Sequence, residues 1–575
     1  MRRLTTQPQP TLSIWRGRIL IGLLLVWFVV LLGRAVWLQG LHKDFLRQKG
    51  DARYSRVIEI AAHRGNITDR RGEPLAISTP VESVAASPQD VVADAKQLDE
   101  LAALLKIPRA ELTRKLSDSK REFVYLKRQL PPELAERVVQ LDVPGIFLQR
   151  EYRRYYPAGD VMAHILGFTG VDDNGQEGLE LVHDGELAGV PGSRRVLKDR
   201  LGHIIEDVGA VKTPREGRDL ALSIDHKIQY LAHRELARAI QAHRAKAGAI
   251  IVLDAKTGEI LALANQPTYN PNRRVKLNRN TTRNRAITDI FEPGSTLKPF
   301  TAAAALDAGL FTATSKIQTA PGSLTIGPNT IHDAHPHGIL TVAEIIQKSS
   351  NVGSAKMALA LDREFLWGLY NELGFGAAPQ AGFPGEASGR LRPYKNWRPI
   401  EQATMSFGHG ISVSLLQLAR AYMVFANDGE IKPLSLIRSD MPRAGTRVFK
   451  VETSRAVRDM LEMAVQPGGT APAAQVRGYR VAGKTGTAHK LEGRGYAASK
   501  YVSSFVGFAP ATNPRLIIAV MIDEPSAGQY YGGLVAAPVF SQVMSGSLRI
   551  LGVAPDAPTN HLVLPADLPP VKEEV

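Results

Sequence analysis

There is no cysteine in the 575 residues, so neither a disulfide nor a thiol can take part in this protein's chemistry. Aromatic residues are sparse at 6%, and no zinc-finger spacing or RNA-motif aromatics accompany the basic residues. The 14 histidines show no metal-ligand spacing, so neither a metal nor a cofactor is expected. Acidic residues are in deficit: 71 Lys and Arg stand against 56 Asp and Glu, a net charge of +15. That excess is spread along the chain rather than gathered in one arm. It reads as a solvated surface near an anionic membrane or an anionic polymer, and not as a nucleic-acid interface. Long apolar runs are lacking as well, with one exception.

The exception is "ILIGLLLVWFVVLLG", Ile19 to Gly33, continued by "AVWL" beyond Arg34. Together they supply roughly the 20 residues that a membrane-spanning helix needs. Arg34, one turn from the end, can snorkel outward. No small-x-small cleavage site follows in "GRAVWLQGLH", so an uncleaved anchor over 19–39 is predicted, preceded by a cytoplasmic tail, 1–18. Arg2, Arg3, Arg16 and Arg18 precede the span and Lys43, Arg47 and Lys49 follow it, so flanking charge hardly discriminates orientation.

A chain of this length exceeds what one hydrophobic core supports. After the anchor a helix is expected to run into a strand at "SRVIEIAA". In "HRGNITDRRGEPLAIS", Asp69 to Gly72 read as a hairpin turn, and Arg64, Asp69 and Arg70 as a structural ion-pair hinge between subdomains. Residues 88–142 carry helical, polar patterns, and 150–215 are glycine-rich with short strands. Residues 56–215 therefore read as an elongated, β-rich pedestal module, closed by the linker "VKTPREGRD".

A second domain is predicted over 220–555, with a Pro-rich tail over 556–575. It opens with a strand and a long amphipathic helix, then an apolar hairpin, "AGAIIVLDAKTGEILALANQP". It closes with three strands around "YRVAGKTGTAH", "SSFVGFAP" and "RLIIAVMID", and a helix from about Ala536 to Ile550. Strands at both ends with helices between predict one sheet with an inserted helical lobe. The fold class is α+β, multidomain.

The chemistry begins at "FEPGSTLKPF", 291–300. Ser295 and Lys298 stand three apart, on one face if the segment is helical, so hydroxyl and amine can meet. The plain alternative is a helix cap followed by a surface lysine. Ser117 and Lys120 repeat the spacing in "SDSK", within a polar helical stretch, so companions must decide. Downstream, "QKSSNVGS" gives Ser349-Ser350-Asn351 between two helical stretches, and "VAGKTGTAHK" gives Lys484-Thr485-Gly486 on a predicted strand. Lys256-Thr257-Gly258 is a second copy of the last motif, at a hairpin tip. The copy at 484 is flanked by small residues and admits close approach of a substrate backbone.

S-x-x-K, S-x-N and K-T-G, in that order in one domain, are the motif set of penicillin-binding proteins and class A β-lactamases. "FEPGSTLKP", "KSSNVG", "GHGISVSLLQLARAY" and "GYRVAGKTGTA" resemble a class B penicillin-binding protein. So do the anchor, "RGNITDRRGEPLA" and "RRYYPAGDVMAHILGFTG". "LGFGAAPQAGFPGE" and the Phe-Glu pair before "PGST" are similar to the division branch. No counterpart of the class A glycosyltransferase domain is present in the first 220 residues.

The resemblance implies a penicilloyl-serine transferase fold and a D,D-transpeptidase that cross-links peptidoglycan stem peptides during septum formation. In it Ser295 is the acylated nucleophile, Lys298 its base and Ser349 a proton relay. Asn351 binds the substrate amide, while Lys484, Thr485, Gly486 and Thr487 bind the terminal carboxylate. The backbone N–H groups of Ser295 and Thr487 form the oxyanion hole. It implies β-lactams as covalent inhibitors, and a septal glycosyltransferase and other division proteins as partners. It further implies a single-pass inner-membrane location with the catalytic domain in the periplasm. The rival readings are a β-lactamase or penicillin sensor, and a division scaffold with a vestigial enzyme domain.

Overall fold

The computed structural model describes residues 14–41, 55–118, 121–198, 204–274, 277–439, 441, 443–493 and 495–558. Most of both expected tails, the segment 42–54 and Lys120 lie outside the described residues. Near the N-terminus Ile14–Val36 forms an α-helix continued by a single π turn, Trp37–Leu41. This helix is long and apolar enough to cross a membrane. Its apolar side chains are exposed all round, as lipid contact requires of a lone span.

The chain divides into two compact units. The first takes Met1–Ala62, Pro80–Tyr152 and Val190–Arg215. Ser55–Ile60, Gly192–Lys198 and Ile204–Lys212 form a three-stranded antiparallel sheet there. Three helices, Ala95–Leu105, Arg109–Leu116 and Pro132–Val139, share a small core of Val84, Leu101, Leu105, Leu112, Leu126 and Val138. Asp94 opens the first of them with a reciprocal capping box to Gln97. The helical reading of 88–142 needs one correction. Val124–Leu130 is a strand, because Leu126 and Leu130 turn inward at even spacing and its backbone pairs with Glu82–Ala86.

The second unit takes His63–Thr79, Arg153–Gly189 and Glu216–Val575. Glu180 is fully buried there between two arginines. It accepts from Arg64 Nε at 2.8 Å and from Arg154 Nε at 2.6 Å. Arg64 also donates to Asp184 at 2.7 Å, and Arg70 pairs with Glu259 at 3.3 Å. Arg64 and Arg70 thus form structural ion pairs within this unit rather than a hinge between subdomains, and Asp69 instead accepts from the backbone N–H groups of Arg71 and Glu73. Glu180→Ala would leave two guanidinium groups buried without their shared carboxylate. It is expected to cost about 3–5 kcal/mol of stability, read as a lowered unfolding midpoint. Removing Glu100 from its exposed pair with Lys96 is expected to cost about 0.5 kcal/mol at most.

Five strands make the central sheet of the second unit: β1 (Ala247–Asp254), β2 (Ile260–Gln266), β3 (Ala482–Glu492), β4 (Gly495–Ala509) and β5 (Leu516–Asp523). Their order is β2-β1-β5-β4-β3, with every pairing antiparallel. Helix α1 (His226–Ala242) starts at Asp225, whose carboxylate accepts from the backbone N–H groups of Lys227 and Ile228. Helices α1 and α6 (Ala537–Ile550) cover one face through Leu236, Ile250, Val520, Phe540 and Val543. Four more helices are α2 (Lys298–Asp307), α3 (Val342–Lys348), α4 (Asn351–Ala360) and α5 (Val451–Met463). With their neighbours they form the inserted lobe on the other face, around Phe300, Ile345, Leu416 and Phe425. Strands covered on both faces explain why β1 and β5 read as unbroken apolar runs. Strand β3 is left at the sheet edge, and it carries Lys484.

Candidate active site

The site forms where β3 meets the entrance of α2. Gly294–Leu297 is a single 3₁₀ turn, and α2 begins at Lys298 with Pro299 in its first turn, where a missing N–H costs nothing. Ser295 makes no capping hydrogen bond, so punctuation is not what holds it there. Thr296 fixes the turn by donating to Pro293 O at 2.7 Å, and Tyr422 donates to Thr296 O at 2.8 Å. Lys298 through Ala305 are all buried, so this helix is a core helix whose alanines permit close packing. Phe300 locks it in place, with its ring 4.9 Å from Phe425 and 5.3 Å from Tyr422.

Two glycines press against the nucleophile turn. A Cβ on Gly486 would stand 2.6 Å from Pro293 O, and one on Gly408 would stand 2.2 Å from Gly294 O. Any side chain at either position would push the turn off the strand or the loop. Gly294 itself has φ +56°, and a Cβ there would lie 3.2 Å from Thr487 O and 3.5 Å from Thr487 N. The backbone of the edge strand therefore runs directly beside Ser295's own turn.

Ser349 is the meeting point. It closes α3 in the left-handed conformation, φ +66°, unusual for a residue with a side chain. Ser350 then caps α4 by accepting from Gly353 N at 2.9 Å. The strained turn points the Ser349 hydroxyl at two lysines. Its Oγ accepts from Lys298 Nζ at 3.0 Å and from Lys484 Nζ at 2.9 Å, and Lys298 Nζ also donates to the Ser349 carbonyl. Both lysines are wholly buried. Ser295 is buried too, at 5% exposed.

The structure thus brings together Lys298, Ser349, Lys484 and Thr485, residues drawn from three separate motifs, and sets the turn that carries Ser295 against the same strand. Thr485 Oγ1 lies 3.3 Å from Lys484 Nζ and 2.9 Å from Thr470 Oγ1. Thr487 Oγ1 accepts from Gly532 N at 3.0 Å, and Asn351 Nδ2 donates to His332 O at 3.0 Å. The second Lys-Thr-Gly behaves differently. Lys256 is exposed at the turn between β1 and β2, where Asp254 accepts from its backbone N–H at 2.9 Å. Ser117 ends an exposed helix and donates to Arg114 O at 2.9 Å.

Several participants were not visible in the motifs. Asp333, at the end of a short hairpin, accepts from Ser350 Oγ at 2.8 Å and from Val352 N at 2.8 Å, so it clamps both sides of Asn351. Glu292 accepts from Gly410 N at 2.8 Å and from Tyr496 OH at 3.0 Å, and burial raises its pKa. His409, between Gly408 and Gly410, is pushed down to about 4 by burial and by the nearby Lys298 and His489, so it is neutral at pH 7. Thr470 holds Thr485 from the segment that follows α5. The Phe-Glu pair before "PGST" and a glycine-flanked histidine in "FGHGIS" were the hints of this second layer. Asp333 and Thr470 gave none.

Comparison with known proteins identifies the two domains. Residues 248–545 match the penicillin-binding protein transpeptidase domain, and residues 59–222 match the penicillin-binding protein dimerisation domain. The chain is 45% identical to the probable peptidoglycan D,D-transpeptidase PenA of Neisseria gonorrhoeae, over 93% of this chain and 92% of that protein. It is 43% identical to the peptidoglycan D,D-transpeptidase FtsI of Escherichia coli K12, over 95% and 93%. The transpeptidase domain of Burkholderia pseudomallei penicillin-binding protein 3, solved without ligand, is 49% identical with a TM-score of 0.55, covering 59% of this chain and 98% of that one. A peptidoglycan synthetase from Bifidobacterium adolescentis is 26% identical with a TM-score of 0.70, covering 89% and 99%.

Proposed function

Because the chain belongs to the penicillin-binding protein transpeptidase family, in its class B, division-type branch, we propose that it cross-links septal peptidoglycan through an acyl-enzyme on Ser295. The observation that carries this reading is the convergence of Lys298 and Lys484 on Ser349 Oγ beside the turn of Ser295. Two ammonium groups buried against one hydroxyl repel each other and are poorly solvated, which favours one of them neutral. With Lys484 charged to hold the donor's terminal carboxylate, Lys298 is the amine left to take the Ser295 proton. Ser349, bonded to both, relays a proton to the departing D-alanine.

The acyl carbonyl oxygen is stabilised by the N–H groups of Ser295 and Thr487, whose backbones the glycine contacts hold in close register. Substrate lies along β3, the edge strand of the sheet, where an extended peptide can add. Asn351 binds the substrate amide, and Thr485, Gly486 and Thr487 complete the carboxylate pocket. The same route takes a β-lactam in place of the stem peptide and stops at the acyl-enzyme. Release of D-alanine and formation of cross-linked dimer from purified stem peptides test this assignment; acylation by penicillin without either product would contradict it.

The transpeptidase domain is assigned to 220–555 and the preceding 56–215 to a pedestal that spaces and docks it. The chain is anchored by its N-terminal helix with the catalytic unit in the periplasm, alongside a septal glycosyltransferase and other division proteins. Protease added to spheroplasts is expected to remove everything beyond the anchor. Protection of the catalytic unit in intact spheroplasts would reverse the topology.

A further inference from the structure

We propose that Glu292 receives the amine of the acceptor stem peptide, and so decides whether the acyl-enzyme is opened by an amine or by water. The proposal rests on the transpeptidase reading and concerns its second half-reaction. The donor side of the cleft is cationic, with the charged Lys484 buried at Ser349 beside Lys298. An acceptor amine is protonated at neutral pH, and that charge repels it. It needs an anion on the wall it approaches.

Glu292 stands three residues before Ser295 and is 7% exposed. Only neutral donors hold it: the Gly410 N–H at 2.8 Å and the Tyr496 hydroxyl at 3.0 Å. No cation lies within ion-pair distance of it among the described residues. Burying a carboxylate on neutral donors is costly. The carboxylate keeps unused lone pairs for further donors.

Its surroundings place it beside the reacting groups. Gly410 belongs to the loop whose Gly408 backs onto Gly294. His409 of that loop feels Lys298 and His489, and its ring is 6.0 Å from that of Tyr496. Tyr496 is half-exposed near the start of β4, so its hydroxyl can be displaced by an arriving ammonium.

The step balances as follows. The ammonium passes one proton to the Glu292 carboxylate, which returns it to solvent. The neutral amine attacks the acyl carbon, a C–N bond forms and the C–Oγ bond to Ser295 breaks. The second amine proton travels through Lys298 and Ser349 to Ser295 Oγ. Tyr496 is the titratable group bonded to Glu292, and the neutral His409 stands against Tyr496, so Glu292 is the carboxylate of this cluster placed to take that first proton.

The test uses the full-length protein in detergent, an N-acyl-D-alanyl thioester as donor and D-alanine as acceptor. Thiol release reads acylation, and the product ratio reads aminolysis against hydrolysis. Glu292→Gln is expected to lower the aminolysis-to-hydrolysis ratio tenfold or more, and to lower it further than it lowers acylation. Tyr496→Phe, which removes the placeholder and keeps the carboxylate, is expected to hold or raise that ratio. An unchanged ratio in Glu292→Gln would overturn the proposal, as would parallel losses of acylation, aminolysis and hydrolysis. A fall in Tyr496→Phe equal to that in Glu292→Gln would overturn it too. Failure of the wild-type protein to react with the thioester at all would instead strike the transpeptidase reading.

Discussion

Ser295→Ala is expected to abolish covalent labelling by penicillin and all cross-linking, while leaving the fold within about 1 kcal/mol of the parent. The stability half of that statement follows from the 3₁₀ turn. Ser295 caps nothing, and the turn is held by Thr296 to Pro293 and by Tyr422 to Thr296 instead. The activity half follows from its neighbours. Lys298, one turn on, is buried without exposure and ends at Ser349, so the amine is not spent on solvent or on a surface carboxylate. Ser117 has no such company, and Ser117→Ala is expected to label like the parent. Gel labelling with a fluorescent penicillin, together with a thermal melt of each variant, checks both halves.

The second large effect separates the two Lys-Thr-Gly copies. Lys484→Ala should slow acylation by roughly two to three orders of magnitude, since a donor aimed at charge in a water-poor site is worth about 2.7–4 kcal/mol in the transition state. Lys256→Ala should change it by less than twofold. Lys484 is fully buried on the edge strand and shares Ser349 Oγ with Lys298. Lys256 is exposed at a hairpin turn, where Asp254 accepts from its backbone N–H. Second-order acylation rate constants for the two variants check this. Equal effects would mean that the donor carboxylate sits elsewhere.

The parts of the molecule that could be read from sequence are those whose signal is local. Five strands and the helices at both ends of the catalytic unit announced themselves by apolar runs and by 3.6-residue periodicity. The one-sheet reading followed because strands bracketed the helices. Val124–Leu130 was missed since a seven-residue amphipathic strand between two helices offers too few periods to separate two from 3.6. The motif residues were legible because each combines a reactive side chain with small neighbours. Their mutual geometry was not. Ser349's left-handed backbone is imposed by two helices abutting, and Asp333 reaches the neighbouring Ser350 and Val352 from a hairpin well upstream in the chain. Glu292 stood in plain view before "PGST", but its burial and its bond to Tyr496, 204 residues away, exist only once the sheet edge has closed on α2.

That closure is also why the catalytic groups need so little flexibility. Gly408 and Gly486 hold the Pro293–Gly294 peptide between a loop and the edge strand, with no space for a Cβ on either side. Ser295, Ser349 and Lys484 come from three distant stretches, and the turn of Ser295 is fixed by these backbone contacts. Preorganisation of this kind lowers the reorganisation needed when the oxyanion forms.

The measurement that bears most directly on the central claim is the site of the acyl adduct. Full-length protein treated with a penicillin, then digested and mapped by peptide mass spectrometry, should carry one penicilloyl group, on the peptide containing Ser295. Intact mass should show a single addition that Ser295→Ala lacks. An adduct on Ser349, on Ser117 or on any other serine, or labelling that persists in Ser295→Ala, would contradict the account.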